Sequence, residues 1–244
     1  MRDILNRLYP LRKPAMISER HVNTIKPGDV FRDWLIEIVG ERISNRRCNV
    51  AVYKISPAPH TVCRYEFVGE NYSVVAKFYA EPSDKLVNYD PSQPMQQEFN
   101  ALRNLKSIVN IPRPIAARKD FHCVLVTEHI RGKPFFKFMK SENELYDRLT
   151  TIAHSLRMLH DQTKSVYRKQ DEFAHFHKIL DQLRLNSMKR LEFNRLLGDW
   201  WYSTLIDQSY GCRIHNNPNP INLVQLGLNK PNFMLLVPSL DKSI

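Results

Sequence analysis

The chain has 244 residues, enough to bury a real core as one large or two small domains, and its 43% hydrophobic and 25% charged content is that of an ordinary globular protein. Its 36 basic and 25 acidic residues leave a net charge of +11, with the basic residues in small groups such as Arg46-Arg47 and Arg168-Lys169 rather than in one arm. That suits an anionic ligand such as a nucleotide, or weak nucleic-acid attraction. No run approaches the roughly eighteen apolar residues of a spanning helix, so no membrane partner is expected. Cys48, Cys63, Cys123 and Cys212 form no C-x-x-C pair, which argues against a zinc ribbon or a redox motif and fits a reducing, cytoplasmic setting.

Residues 1–28 are mixed and basic and read as an extension on the first domain. Asp29 can cap a helix over Val30–Val39, with Val30, Trp34, Leu35 and Val39 near one face. Strand-like runs follow at Asn49–Ile55, Val62–Val68 and Tyr72–Tyr79, separated by Pro57-Ala58-Pro59 and Gly69-Glu70-Asn71. They predict an antiparallel meander. Lys77 lies inside the third run, S-V-V-A-K-F-Y. It is either an outward-facing strand lysine or a buried ammonium that needs an anionic partner.

Met95–Ile108 reads as a helix, apolar at Met95, Phe99, Leu102, Leu105 and Ile108, with Glu98 at the edge of that stripe. Glu98 can face the sheet and meet Lys77, or it can lie in solvent. After Ile111-Pro112-Arg113-Pro114, a strand pair is expected at Ile115–Lys119 and Cys123–His129. Ile130-Arg131-Gly132-Lys133-Pro134 has the composition of a hinge.

Beyond it the period changes from two to 3.6. Glu144–Lys164 puts Leu145, Leu149, Ile152, Ala153, Leu156 and Leu159 on one stripe. Helices are also expected over Phe173–Leu185, Met188–Leu197 and, after Gly198, Asp199–Gln208 with its Trp200-Trp201 pair. His175-x-His177 has no further ligand at a metal-binding spacing. Ile214–Val224, I-H-N-N-P-N-P-I-N-L-V, is too rich in Pro for helix and too polar for a core strand. It is either a surface turn or a hydrogen-bonded loop that delivers polar side chains to one point, with a short strand after it.

A small β domain, a strand lysine, a glutamate on the next helix, a hinge, a helical domain and an H-x-x-x-x-x-x-N loop thus stand in order. This order, over roughly residues 45–240, resembles the protein-kinase-like fold, specifically the aminoglycoside and choline phosphotransferase branch of small-molecule kinases. That family's loop is close to H-x-D-x-x-x-x-N. Here it reads His215-Asn216-Asn217-Pro218-Asn219-Pro220-Ile221-Asn222, and Ser155–His160 (S-L-R-M-L-H) is similar to the helix end that precedes it.

The resemblance implies a two-lobed α+β fold: an extension and helix over 1–44, a β-rich nucleotide-binding lobe with one key helix over 45–130, and a mainly helical lobe over 131–244. It implies ATP and Mg²⁺ as cofactors and an unidentified small-molecule hydroxyl as acceptor. Lys77 would hold the phosphates and Glu98 would fix its ammonium. Thr127, Glu128, His129 and Ile130 would run past the adenine, Asn222 would offer an oxygen to Mg²⁺, and His215 would brace the loop. The Trp200-Trp201 pair of the Asp199–Gln208 helix reads as core or interface, and that helix is also a candidate wall of the acceptor pocket.

The chain departs from the pattern in four places. Asn217 replaces the catalytic aspartate, and a carboxamide is essentially non-basic, so general-base help worth about 10²–10⁴ in rate is lost. Pro238-Ser239-Leu240 stand where the family's metal-binding aspartate is expected, after a strand at Phe233–Val237. Ser56–Thr61, S-P-A-P-H-T, is not a glycine-rich turn. The chain also ends at Ile244, so the helical lobe is expected to be incomplete. The expectation is therefore an impaired phosphotransferase, with a nucleotide-binding pseudokinase scaffold and a basic nucleic-acid-binding protein as the alternatives.

Overall fold

The computed structural model describes residues 18–56, 58, 60–80, 90–135, 142–183, 185–203, 208–211, 223–226 and 232–235. The protein is α+β. Its main element is an antiparallel sheet of six strands in the order β1-β2-β3-β4-β6-β5. These are β1 (Ser18–Ile25), β2 (Val50–Ser56), β3 (Thr61–Phe67), β4 (Ser73–Phe78), β5 (Pro114–Arg118) and β6 (Val124–Glu128).

The meander β2-β3-β4 and the pair β5-β6 fall within a residue or so of the expected runs. Their alternation has a clear cause, because one sheet face packs against a helix. That helix, α1 (Val30–Val39), starts where Asp29 accepts the Arg32 backbone N–H through Oδ1 at 2.9 Å. It stops at Gly40, whose φ of +61° suits a residue without Cβ. Trp34, Leu35, Ile36 and Val39 pack on Val50, Val52, Cys63, Tyr65, Phe67, Val74, Ala76, Val124 and Val126. Val30 is not part of this face and is exposed. Arg32 is inside instead, held by carbonyl oxygens of the turn that leads into β2. The described cysteines Cys48, Cys63 and Cys123 are buried thiols, and burial pushes each above its ordinary value.

Residues 18–25 correct the expectation of an extension. They form the edge strand β1, antiparallel to β2, with a register shift between His21 and Asn23 that leaves Val22 unpaired and exposed. The run S-E-R-H-V-N-T-I has no buried face to impose alternation, so its strand character comes from backbone pairing with β2.

Helix α2 (Ser92–Leu105) lies between β4 and β5 in the chain and packs against β5 and β6. It begins three residues earlier than expected, where Asp90 Oδ1 accepts the Ser92 N–H at 2.9 Å. Pro94 is tolerated there because first-turn amides have no partner within the helix. Its buried residues include Met95, Ala101, Leu102, Leu105 and also Glu98.

After β6, the two-residue strand β7 (Lys133–Pro134) pairs antiparallel with β10 (Leu223–Leu226), which in turn pairs with β11 (Asn232–Leu235). The strands expected after the Asn/Pro-rich stretch and at Phe233 are thereby present. The described residues fall into two compact units, one within Met1–Ser155 and Asn216–Leu240, the other within Leu156–His215. Lys133–Pro134, expected at a hinge, pair within the first unit.

The remaining elements are α3 (Glu142–Gln162), β8 (Ser165–Arg168), α4 (Lys169–Gln182), α5 (Ser187–Ser203) and β9 (Gln208–Gly211), with β8 and β9 forming an antiparallel pair. On α3, Ile152 and Leu159 are buried, whereas Leu149 and Ala153 of the expected stripe are exposed. The break expected at Gly198 is absent, since α5 runs straight through it. A glycine in mid-helix costs about 1 kcal/mol relative to alanine, too little to end a helix of this length. Gln208, expected at a helix end, opens β9.

In the smaller unit, Phe173 packs edge-on against Trp201 with ring centroids 4.9 Å apart. Lys169 Nζ donates to the Trp201 carbonyl at 2.7 Å, so the start of α4 is tied to the end of α5. Among the described residues no helix is long and apolar enough to cross a membrane.

Candidate functional site

Strand alternation puts Val74, Ala76 and Phe78 on the α1 side of β4, and Val75, Lys77 and Tyr79 on the other. Across the ladder Lys77 stands between Val62 of β3 and Leu125 of β6. Its ammonium lies 2.6 Å from Glu98 Oε2 of α2, with the two side chains 12% and 7% exposed. The Tyr79 hydroxyl donates to the same carboxylate oxygen, and Lys77 Nζ sits 4.7 Å from the centroid of the Tyr79 ring. A desolvated carboxylate thus receives one charged and one neutral donor, as its burial demands. Burial still pushes the Glu98 carboxyl above its ordinary range, against the opposing pull of Lys77 and Tyr79.

Next along this face, the Arg64 guanidinium bridges Glu19 of β1, at 2.8 Å, and Glu66. It also stacks 4.1 Å from the centroid of the Tyr53 ring. At the β6 end, His129 Nδ1 is 2.8 Å from Ser73 Oγ, and its backbone N–H donates to the Ser73 carbonyl at 3.2 Å. Burial lowers the His129 pKa from 6.5; Arg64 and Arg131 add to this, and Glu19 and Glu66 oppose it. A depressed histidine is neutral in the fold and protonated first in the unfolded chain. Its contribution to stability is therefore complete above 6.5 and is lost as pH falls through the folded value. Urea midpoints measured from pH 6.5 downward should drop more steeply for the wild type than for His129→Gln. Parallel curves would mean that His129 titrates as it does in water.

Of the site residues expected from sequence, Lys77 and Glu98 are brought together directly. Thr127 is in mid-ladder, opposite Val75 and Pro114. Glu128 serves the sheet: its N–H donates to the Arg113 carbonyl at 2.9 Å, and its Oε1 accepts the Arg113 N–H at 3.1 Å. Ile130 is half-buried. His215, Asn217 and Asn222 lie outside the described residues, as does the Pro238 region. Even so, β10 begins at Leu223, directly after Asn222, and pairs with the strand that begins three residues after Ile130.

His175-x-His177 is a packing element in part, with His177 edge-on to Phe173 at 4.6 Å. Among the described residues no group of three or more His, Cys, Asp and Glu side chains could hold a metal. Sequence reading missed Tyr79, Ser73 and Arg64 as parts of this face. The signal was present, because all three share the two-residue period or the ladder of Lys77, but a period does not say which hydroxyl meets which acid.

No family model matches this chain, and comparison with curated proteins finds no match.

Proposed function

We propose that this chain binds ATP through Lys77, in a kinase-like arrangement of a β-rich and a mainly helical lobe, and that it derives from the small-molecule phosphotransferases. The observation that carries the reading is the Lys77–Glu98 pair. A strand lysine held by a helix glutamate is the device that presents an ammonium to nucleotide phosphates in that fold. The β7–β10 pairing supports it, since it returns the chain following Asn222 to the segment that follows Ile130.

The amides of Glu128 and His129 donate to the Arg113 and Ser73 carbonyls, and Thr127 lies within the β6 ladder, which leaves the reading of the adenine edge to the groups at Ile130. Glu98 is engaged by Lys77 and Tyr79, so Mg²⁺ falls to Asn222, whose carboxamide supplies an oxygen suited to a hard cation. Phosphoryl transfer to a small-molecule hydroxyl is impaired in this reading, because Asn217 cannot accept the proton of the attacking group.

The test is a thermal-shift titration with ATP, with and without Mg²⁺. At about 100 times the dissociation constant a ligand adds about 2.7 kcal/mol of stability. Wild type should respond and Lys77→Met should not. No response to ATP would overturn the reading, and steeply salt-dependent binding of DNA or RNA would then favour the nucleic-acid alternative. ATP consumption in Asn217→Asp separates the other two. A marked gain identifies an impaired transferase, and no gain a scaffold that binds nucleotide without transfer.

A further inference from the structure

The turn between β2 and β3 ends in His60, one residue before β3. The His60 ring packs on Tyr79, with centroids 5.0 Å apart and planes at 39°. That Tyr79 ring also carries the Lys77 ammonium and reaches Glu98 with its hydroxyl. Tyr79 is 2% exposed, whereas His60 and Lys77 both retain contact with solvent. An imidazole from a turn and an ammonium from a strand therefore converge on one buried aromatic ring.

We propose that His60 is a second anion-contacting side chain of the Lys77 site and donates to the phosphate chain that Lys77 holds. This rests on the reading of Lys77 as a phosphate ligand. The composition of the turn gives the reason. A glycine-rich turn presents backbone amides to phosphate oxygens, but S-P-A-P-H-T has no glycine, and Pro57 and Pro59 have no N–H to offer. A side-chain donor takes over that task. A neutral imidazole offers one N–H; a protonated one offers two and a positive charge.

Anion binding through His60 must then strengthen as pH falls. Among the described residues, the charged and titratable groups gathered at the Tyr79 ring with His60 are Lys77 of β4, Tyr79 itself just after that strand, and Glu98 on α2. Lys54 of β2 shares the opposite sheet face with Val50 and Val52, by strand alternation. None of these changes in a His60 variant, and neither does the titration of the ligand.

The experiment is calorimetric titration of the full chain with tripolyphosphate and with ATP, without metal, at about pH 8 and about pH 6. It uses wild type, His60→Gln, His60→Phe and Lys77→Met. The affinity ratio of wild type to His60→Gln is expected to rise from about threefold at the higher pH to about tenfold or more at the lower. His60→Phe keeps a ring on Tyr79 but has no N–H to donate, so it should bind no more tightly than His60→Gln. A ratio that does not change with pH, or full rescue by phenylalanine, overturns the role of His60 while binding lost in Lys77→Met leaves the nucleotide reading in place. Failure of wild type to bind either ligand overturns both.

Discussion

Replacing Lys77 with alanine is expected to destabilise the protein by about 3–5 kcal/mol, the range found when one member of a buried ion pair is removed. The loss does not measure the attraction between the two charges. It arises because Glu98, 7% exposed, keeps its burial and loses its charged donor, with the Tyr79 hydroxyl left behind.

The pH dependence follows from the same cause. The Glu98 carboxyl already lies above its ordinary 4.5 because burial disfavours its charge, and removing the ammonium raises it further. A raised carboxyl contributes its stability in the protonated form, below 4.5, and loses it as pH rises through the folded value. The Lys77→Ala deficit should therefore be large at neutral pH and shrink as the solution is acidified.

The double variant Lys77→Met, Glu98→Leu removes both charges and keeps apolar bulk, and it should recover most of the loss. Urea unfolding of wild type, Lys77→Met, Glu98→Leu and the double variant gives the coupling directly. A Lys77→Ala loss below about 1 kcal/mol would mean that the pair is screened like a surface salt bridge, and the site would then lack the dry, fixed ammonium on which anion binding depends.

Arg32→Met is expected to cost about 3 kcal/mol or more, although the residue is far from the candidate site. Arg32 is 4% exposed, and its Nη2 donates at 2.6 Å to the carbonyls of both Arg46 and Cys48. Hydrogen bonds from a charged donor are worth about 1.5–3 kcal/mol each, and methionine leaves these oxygens without that donor. Arg32→Lys should rescue poorly, because an ammonium lacks the planar fork that spans two acceptors. Asp33→Ala should cost under about 1 kcal/mol, since Asp33 is 49% exposed and its ion pair with Arg32 faces water. Thermal and urea unfolding distinguish these cases. Equal, small losses for all three variants would show that the carbonyls find other donors and that the clamp between α1 and β2 is not what the geometry indicates.

Much of the first unit was legible before any coordinates. Asp29 followed by Trp34, Leu35 and Val39 describes a capped helix with one apolar side, and α1 has the expected bounds. The runs that became β2, β3 and β4 alternate because one face is buried, and burial is written into side-chain chemistry. Lys77 within such a run, and Glu98 beside an apolar helical stripe, were legible as candidates for a pair, but the sequence equally allowed both to face water, and only the packing of α2 on the sheet decided it.

Other features had no local mark. The edge strand β1 is polar along its length, and the pairing of β8 with β9 joins segments about forty residues apart. Gly198 and Arg32 show the limit from the opposite side. Each carries a local preference, to break a helix and to stay in water, and each is outweighed by what surrounds it. By itself the sequence determined where helices could start and which residues needed a buried side, because capping and periodicity act over a few residues. The tertiary structure decided that Tyr79, and with it His60, would meet the Lys77–Glu98 pair, because such meetings depend on strand order and packing across the whole sheet.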